Sequence, residues 1–251
     1  EEATYFELVT AAAFLCFRER GVEAAVVETG LGGRLDATNA LRDPLLTVIT
    51  SIDIDHVKQL GETRARIAGE KAGILKAGVP CLCGETDPEA LAVISERARL
   101  SGAPLEARDP SWTPVAERWE EGEQEVEIGG IRRRLRLLGA AAARNAALAV
   151  EAAALLRRRG LNIPELALSR GMAEVDWPGR FQVLHPAPGR TLILDGAHNP
   201  AALRAFAANW NRAPWRGAEP TFVVGSLEDK DFEVLARTVA PLLAALKTAL
   251  S

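Results

Sequence analysis

Three apolar runs of strand length, at residues 22–28, 45–52 and 79–83, alternate with stretches of helical periodicity, and no other feature constrains the fold as strongly. Residues 64–76 predict a helix that stops at Gly78, and residues 88–100 predict the next one. A βαβα order predicts an α/β fold built on a mostly parallel sheet. Ahead of it, Phe6, Val9, Thr10, Ala13, Phe14 and Phe17 recur at helical spacing. Further on, residues 124–128 and 131–138 flank Gly129-Gly130 as a hairpin, and 141–159 reads as an Ala-rich helix closed by Gly160. Pro178-Gly179 is the predicted domain boundary. After it come expected strands at 180–184, 191–194 and 221–224, and helices from about Pro200 and Phe232.

The composition narrows the function classes. The chain has 251 residues, 48% of them hydrophobic, and a net charge of −4, enough for one large domain or two modest ones. No apolar run reaches the ~20 residues a membrane span needs, and no leader pattern opens the chain. The one dense basic cluster, Arg132 to Arg134 with Arg136, fits a solvated strand better than a nucleic-acid face. Cys16, Cys81 and Cys83 lack metal-type spacing and are expected to be reduced packing residues of a cytoplasmic protein. The chain starts on Glu1 and runs straight into a helical pattern, so it is expected to be a piece of something longer.

In a parallel α/β sheet, ligands sit beyond the carboxyl ends of the strands. Three apolar runs, at 22–28, 45–52 and 191–194, end on residues suited to such a site. Glu28 closes the first and leads into "ETGLGGRLDATN", whose glycines permit close backbone approach and whose Arg34 and Asp36 could meet charged groups. A dinucleotide fingerprint fails there, because Leu35 stands where the third glycine belongs, and a plain glycine-rich turn is the simpler alternative. Asp53, Asp55 and His56 follow the second run, while Asp195, His198 and Asn199 follow residues 191–194. Two of the three histidines thus lie beside carboxylates at strand ends, and His185 reads as a surface residue.

Lys71 shares a helical stripe with Ile67, Ile74 and Leu75. Either it snorkels to a partner such as Glu70, or it is an inward amine able to capture carbon dioxide and act as an anionic ligand.

Taken together, "TYFELVTAAAF", "ETGLGGRLDATN", "VITSIDIDH", "EKAGILKAGVP", "PGRFQVL", "LDGAHNP" and "SLEDKDFEVL" resemble, in order, the folylpolyglutamate synthase/dihydrofolate synthase family of the Mur ligase superfamily. The resemblance implies an ATP-binding α/β domain at 1–177 and part of a smaller Rossmann-like domain at 178–251. It implies a ligase that phosphorylates a pterin substrate's carboxylate with ATP and lets the amine of L-glutamate displace the phosphate. The acceptor would be dihydropteroate or folate, and the enzyme a cytoplasmic monomer without nucleic-acid or membrane partners. By motif position, Glu28 and His56 would be Mg2+ ligands, and Lys71 a carbamylated lysine at the metal or phosphate, with a monovalent cation as a further ion. Lys71 and His198 would be catalytic. Asn145, Arg180, Asp195 and His198 would contact ATP, and Asp36 the pteroate-type substrate.

Two departures stand beside the match. The family's P-loop is missing: Lys58, Lys71, Lys76, Lys230 and Lys247 follow Val, Glu, Leu, Asp and Leu, so no Gly-Lys pair exists. Ala141 and Ala142 replace the usual His-Gln ahead of Asn145. The 251 residues alone are therefore expected to be inactive. A different Mur-type amino-acid ligase and a non-enzymatic fragment are the alternatives.

Overall fold

A computed structural model describes residues 2–108, 115–120, 122–215 and 220–225, with Arg237 and Ala240. The chain divides into two compact units, Glu1–Arg108 and Asp109–Ser251. The motif at 226–235 and the helix expected from Phe232 lie outside the described residues.

The first unit is built on a parallel sheet ordered β1 (Thr47–Ile49), β2 (Cys81–Cys83), β3 (Leu105–Ala107). Helices α3 (Arg64–Lys71) and α4 (Pro88–Ser101) supply its crossovers. Both follow sequence rules for starting a helix. Thr63 caps α3 by accepting the Arg66 N–H, and Asp87 caps α4 by accepting the Ala90 N–H, with Pro88 in the first turn. Gly102, at φ 70°, ends α4 in the left-handed conformation that glycine adopts without strain. Ile49, Ile52, Ile67, Leu75, Cys81, Cys83 and Ile94 close the core between sheet and helices.

Three elements differ from the sequence expectation. Residues 22–28 are not a strand: no segment among the described residues pairs with them, and a ladder needs a partner for every N–H and C=O. Val26 is fully exposed there. The helix expected over 64–76 stops at Lys71 and tightens into a 3₁₀ turn at Ala72–Ile74. The cause is tertiary, because the Glu70 carbonyl, which Ile74 would use in a continuing helix, accepts the Arg34 N–H at 2.8 Å. Residues 221–224 also pair with nothing described.

Helix α1 (Tyr5–Glu19) precedes the sheet. Thr4 and Glu7 form a reciprocal capping box, yet only Thr10 is buried and the apolar side chains of Tyr5, Phe6, Leu8 and Val9 are exposed.

The second unit opens with an antiparallel sheet, β4 (Val115–Glu120), β5 (Glu123–Ile128) and β6 (Ile131–Leu135). Gly129 and Gly130, both at positive φ, make the two-residue hairpin turn that the sequence predicts. Gln124, Val126 and Ile128 alternate inward, and α5 (Ala140–Arg158) and α6 (Glu165–Glu174) contribute Ala143, Ala146, Ala147 and Met172 to the same core. The strands expected at 180–184 and 191–194 form an antiparallel pair, β7 (Gln182–Ala187) and β8 (Arg190–Leu194), followed by α7 (Pro200–Arg212).

All three cysteines are free thiols. Burial pushes Cys81 up to about 12 and raises Cys83 as well, while Cys16 is exposed on α1. A thiol-specific reagent at pH 8 is therefore expected to modify one cysteine in the folded chain and three after denaturation.

Candidate functional site

The glycine-rich loop owes its composition to how closely it seats on the end of α3. A Cβ on Gly33 would stand 3.0 Å from both the Glu70 and Lys71 carbonyl oxygens, and one on Gly73 would meet Arg34 Cα at 2.4 Å. A Cβ on Gly32 would strike Leu60 Cδ2 at 2.8 Å, and one on Gly30 the Phe6 ring. Side chains complete the seating. The Arg34 guanidinium pairs with Glu70, Nη2 to Oε1 at 3.1 Å, and Asn39 Nδ2 donates to the Arg34 and Gly73 carbonyls at 3.1 Å each. Lys76 Nζ in turn donates to Asn39 Oδ1 at 2.8 Å.

Asp36 is the loop's internal brace. Its carboxylate accepts the Leu31 N–H at 2.8 Å, the Thr38 N–H at 2.9 Å and the Thr38 hydroxyl at 2.5 Å. Burial alone would raise its pKa; the Thr38 hydroxyl and the Leu31, Thr38 and Gly30 backbone donors outweigh it and hold the carboxyl below its ordinary 3.8.

Lys71 is half-buried at the end of α3, immediately after the residue that Arg34 grips. Glu28 is exposed two residues ahead of Gly30. Among the described residues, neither side chain makes a hydrogen bond or ion pair. His56 caps the short helix α2 (Val57–Leu60) in the left-handed conformation, φ 50° and ψ 42°, uncommon for a residue with a Cβ. The Asp55 carboxylate accepts its N–H at 2.8 Å, and its carbonyl accepts from Gln59 and Leu60. Since Leu60 of α2 also meets Gly32, the Asp36 loop, the His56 helix and the Lys71 end of α3 are packed together. Among the described residues, no three His, Cys, Asp or Glu side chains gather closely enough to hold a metal ion by themselves.

Glu85 was not among the residues singled out by the sequence. It is a buried carboxylate just past β2, 5% exposed. Arg64 was missed as well. It links Asp53, at 3.2 Å, to Asp87, at 3.5 Å.

In the second unit, "PGRF" and "LDGAHNP" meet as the shared wording suggests. Asp195 accepts the Phe181 N–H and the Ala197 N–H, both at 2.8 Å, and Gly196 donates to the Gly179 carbonyl at 2.8 Å. Burial raises the Asp195 pKa, opposed by those two backbone donors and by the positive charge of Arg180. Phe181 is held at φ 47° with its ring buried among Trp119 and Phe206. His198 Nδ1 lies 2.8 Å from the Gly196 carbonyl, which can only accept, so Nδ1 carries a proton, and among the described residues Nε2 makes no hydrogen bond. Arg180, Asp195 and His198 thus occupy one pair of loops, and Asn199 caps α7 beside them. Asn145 is exposed near the start of α5.

No family model matches the chain. Individual relatives do. The chain is 36% identical over 254 residues to the dihydrofolate synthase/folylpolyglutamate synthase of Bacillus subtilis, covering 98% of this chain and 58% of that protein. A solved FPGS-AMPPCP-folate complex superposes with a TM-score of 0.81 at 29% identity, over 100% of this chain and 60% of that one. Escherichia coli FolC in complex with ADP gives 0.79 at 30% identity, over 99% and 62%. The fold is the mixed α/β fold of the Mur ligases. Within it, the chain is similar to folylpolyglutamate synthases/dihydrofolate synthases over nearly all of its own length, and it spans rather more than half the length of the relatives it matches.

The Asp36 brace has a measurable pH signature. Its folded pKa lies below the unfolded value, so its contribution to stability is present above pH ~4 and is lost as pH falls through the folded value. Asp36→Asn is expected to lower unfolding free energy by about 1–3 kcal/mol at pH 7. In urea titrations, that gap should narrow steadily below pH ~4.

Proposed function

We propose that this chain carries part of the active site of an ATP-dependent ligase that adds L-glutamate to dihydropteroate or folate. The observation that carries the proposal is the 36% identity with the Bacillus subtilis synthase over 98% of the chain, which includes every loop described above. The likeness to the AMPPCP-folate and ADP complexes supports ATP as a substrate.

The chemistry follows from what the residues can do. A carboxylate does not react with an amine at neutral pH, so ATP first transfers its γ-phosphoryl group to the carboxylate, giving an acyl phosphate and ADP. The glutamate amine attacks the acyl carbon, the tetrahedral intermediate collapses, and phosphate leaves with the amide formed. Negative charge develops on phosphoryl and acyl oxygens in both steps, and preorganised positive groups are the main source of acceleration. Glu28 and His56 offer one oxygen and one nitrogen donor. Magnesium keeps several waters and needs only one or two protein ligands, so Glu28 and His56 would suffice for such an ion although no cluster of three His, Cys, Asp or Glu forms among the described residues. When bound, the ion neutralises phosphate charge.

Lys71, half-buried and without a partner among the described residues, fits an amine that becomes a carbamate and then organises the ion or the phosphate. Arg180 and Nε2 of His198 would meet ATP phosphates and Asp195 the ribose, while Asn145 would approach the adenine. Asp36 would serve the pteroate-type substrate through the shape of its loop, since its oxygens already serve Leu31 and Thr38. Pro178-Gly179 would open the smaller domain. The chain contains no Gly-Lys pair, so the phosphate-cradling amides of the family's P-loop do not come from these residues. A cytoplasmic monomer is part of the proposal. Three free thiols support that compartment, and among the described residues no helix is long and apolar enough to cross a membrane.

The test is radiolabelled glutamate incorporation by the product of the full reading frame that encodes this chain. The expected result is incorporation that requires both ATP and dihydropteroate or folate, with Lys71→Ala lowering kcat by ~100-fold or more and acetate restoring part of it. No incorporation with either acceptor, or full activity in Lys71→Ala, would contradict the proposal.

A further inference from the structure

We propose that Glu85 is a positioning residue that fixes the His56 loop to the sheet, a role that matters for catalysis on the reading that His56 serves the metal. Its side chain is buried, and among the described residues no cation pairs with it directly. It accepts three backbone N–H groups from two different segments. Oε2 takes the Ile52 N–H at 2.5 Å, and Oε1 takes those of Thr86 and Asp87 at 2.6 Å each. A carboxylate satisfied in this way is among the stronger hydrogen-bonding arrangements a protein interior offers.

The two segments are the loops that leave β1 and β2. Ile49 of β1 stands opposite Cys83 of β2, and the Gly84 N–H donates to the Ile49 carbonyl at 2.8 Å, where the parallel ladder ends. Beyond that point the backbones of β1 and β2 separate, and Glu85 bridges the gap. Arg64 makes a second tie on the same pair of loops, joining Asp53 to Asp87. The loop is thus held at two successive residues, Ile52 and Asp53, and three residues later it reaches His56 in its left-handed conformation.

That conformation explains why anchoring is needed. A residue with a Cβ at φ 50° persists where surrounding contacts over-determine it. His56 is exposed, so its own side chain supplies little packing. The constraint comes from the ends of the loop: α2 on one side, and the Glu85 and Arg64 ties on the other. A glutamine at position 85 has the same shape but only one acceptor oxygen. It can serve Ile52 or the Thr86-Asp87 turn, and it must point an NH2 at the N–H of the other.

Two measurements on this chain test the role without any assay of ligation. The first is the His56 ring resonance, assigned with His56→Asn. In Glu85→Gln it is expected to move or broaden, while the His185 and His198 resonances stay in place. A His56 signal unchanged in position and width in folded Glu85→Gln overturns the proposal. The second needs no variant. In the wild-type chain the Ile52 amide is expected to exchange at least ~100-fold more slowly than an unstructured amide, in the class of Gly84 rather than of the exposed loop. Fast exchange at Ile52 overturns the proposal, and this result decides alone if Glu85→Gln does not fold. Neither readout depends on glutamate addition, so failure of the ligase reading and failure of the Glu85 role are told apart.

Discussion

The contact on which the first unit's site depends is that between the backbone of Arg34 and Gly73. No side chain separates the two segments, so the glycine-rich loop lies directly on the turn that ends α3. Everything nearby follows from that approach. Arg34 can take the Glu70 carbonyl only because the loop is this close, and taking it stops the α-helix one residue after Glu70, at Lys71. Lys71 is thereby placed where α3 passes into the 3₁₀ turn Ala72–Ile74. Asp36 and Asn39 then hold the loop in shape, one from inside and one across to Gly73 and Lys76.

Much of this was legible in the sequence, for identifiable reasons. The hairpin around Gly129-Gly130 was legible because a two-residue glycine turn between strand-like runs is a local rule. The parallel sheet and its helices were legible for the same reason. What could not be read was set by tertiary partners. Residues 22–28 carry the composition of a strand but find no ladder among the described residues, and strand identity is a property of pairs. The length of α3 depends on Arg34, distant in sequence. The three glycines signalled a close approach; the sequence suggested a ligand as the approaching partner, and it is the end of α3.

Glu85 and Arg64 illustrate a second limit. Charged residues are ordinarily solvated, so an acid and an arginine outside the recognisable motifs drew no attention. Burial of Glu85 with three backbone donors is visible only in three dimensions. In the second unit the converse holds. The motifs containing Phe181 and Asp195 were recognised as wording, and the hydrogen bond between them shows why they travel together: the carboxylate that follows β8 holds the backbone of the residue that precedes β7.

The central claim is that the loop and the end of α3 form one inseparable unit. Gly73→Ala tests it most directly, because the added Cβ would meet main-chain as well as side-chain atoms of Arg34 and no rotamer change relieves the clash. Overpacking of this kind costs about 1–3 kcal/mol. Thermal unfolding of the variant is expected at a temperature lower by roughly 2–10 °C. A melting temperature equal to that of the wild-type chain would show that the two segments are not in backbone contact, and would contradict the account of how Lys71 is placed.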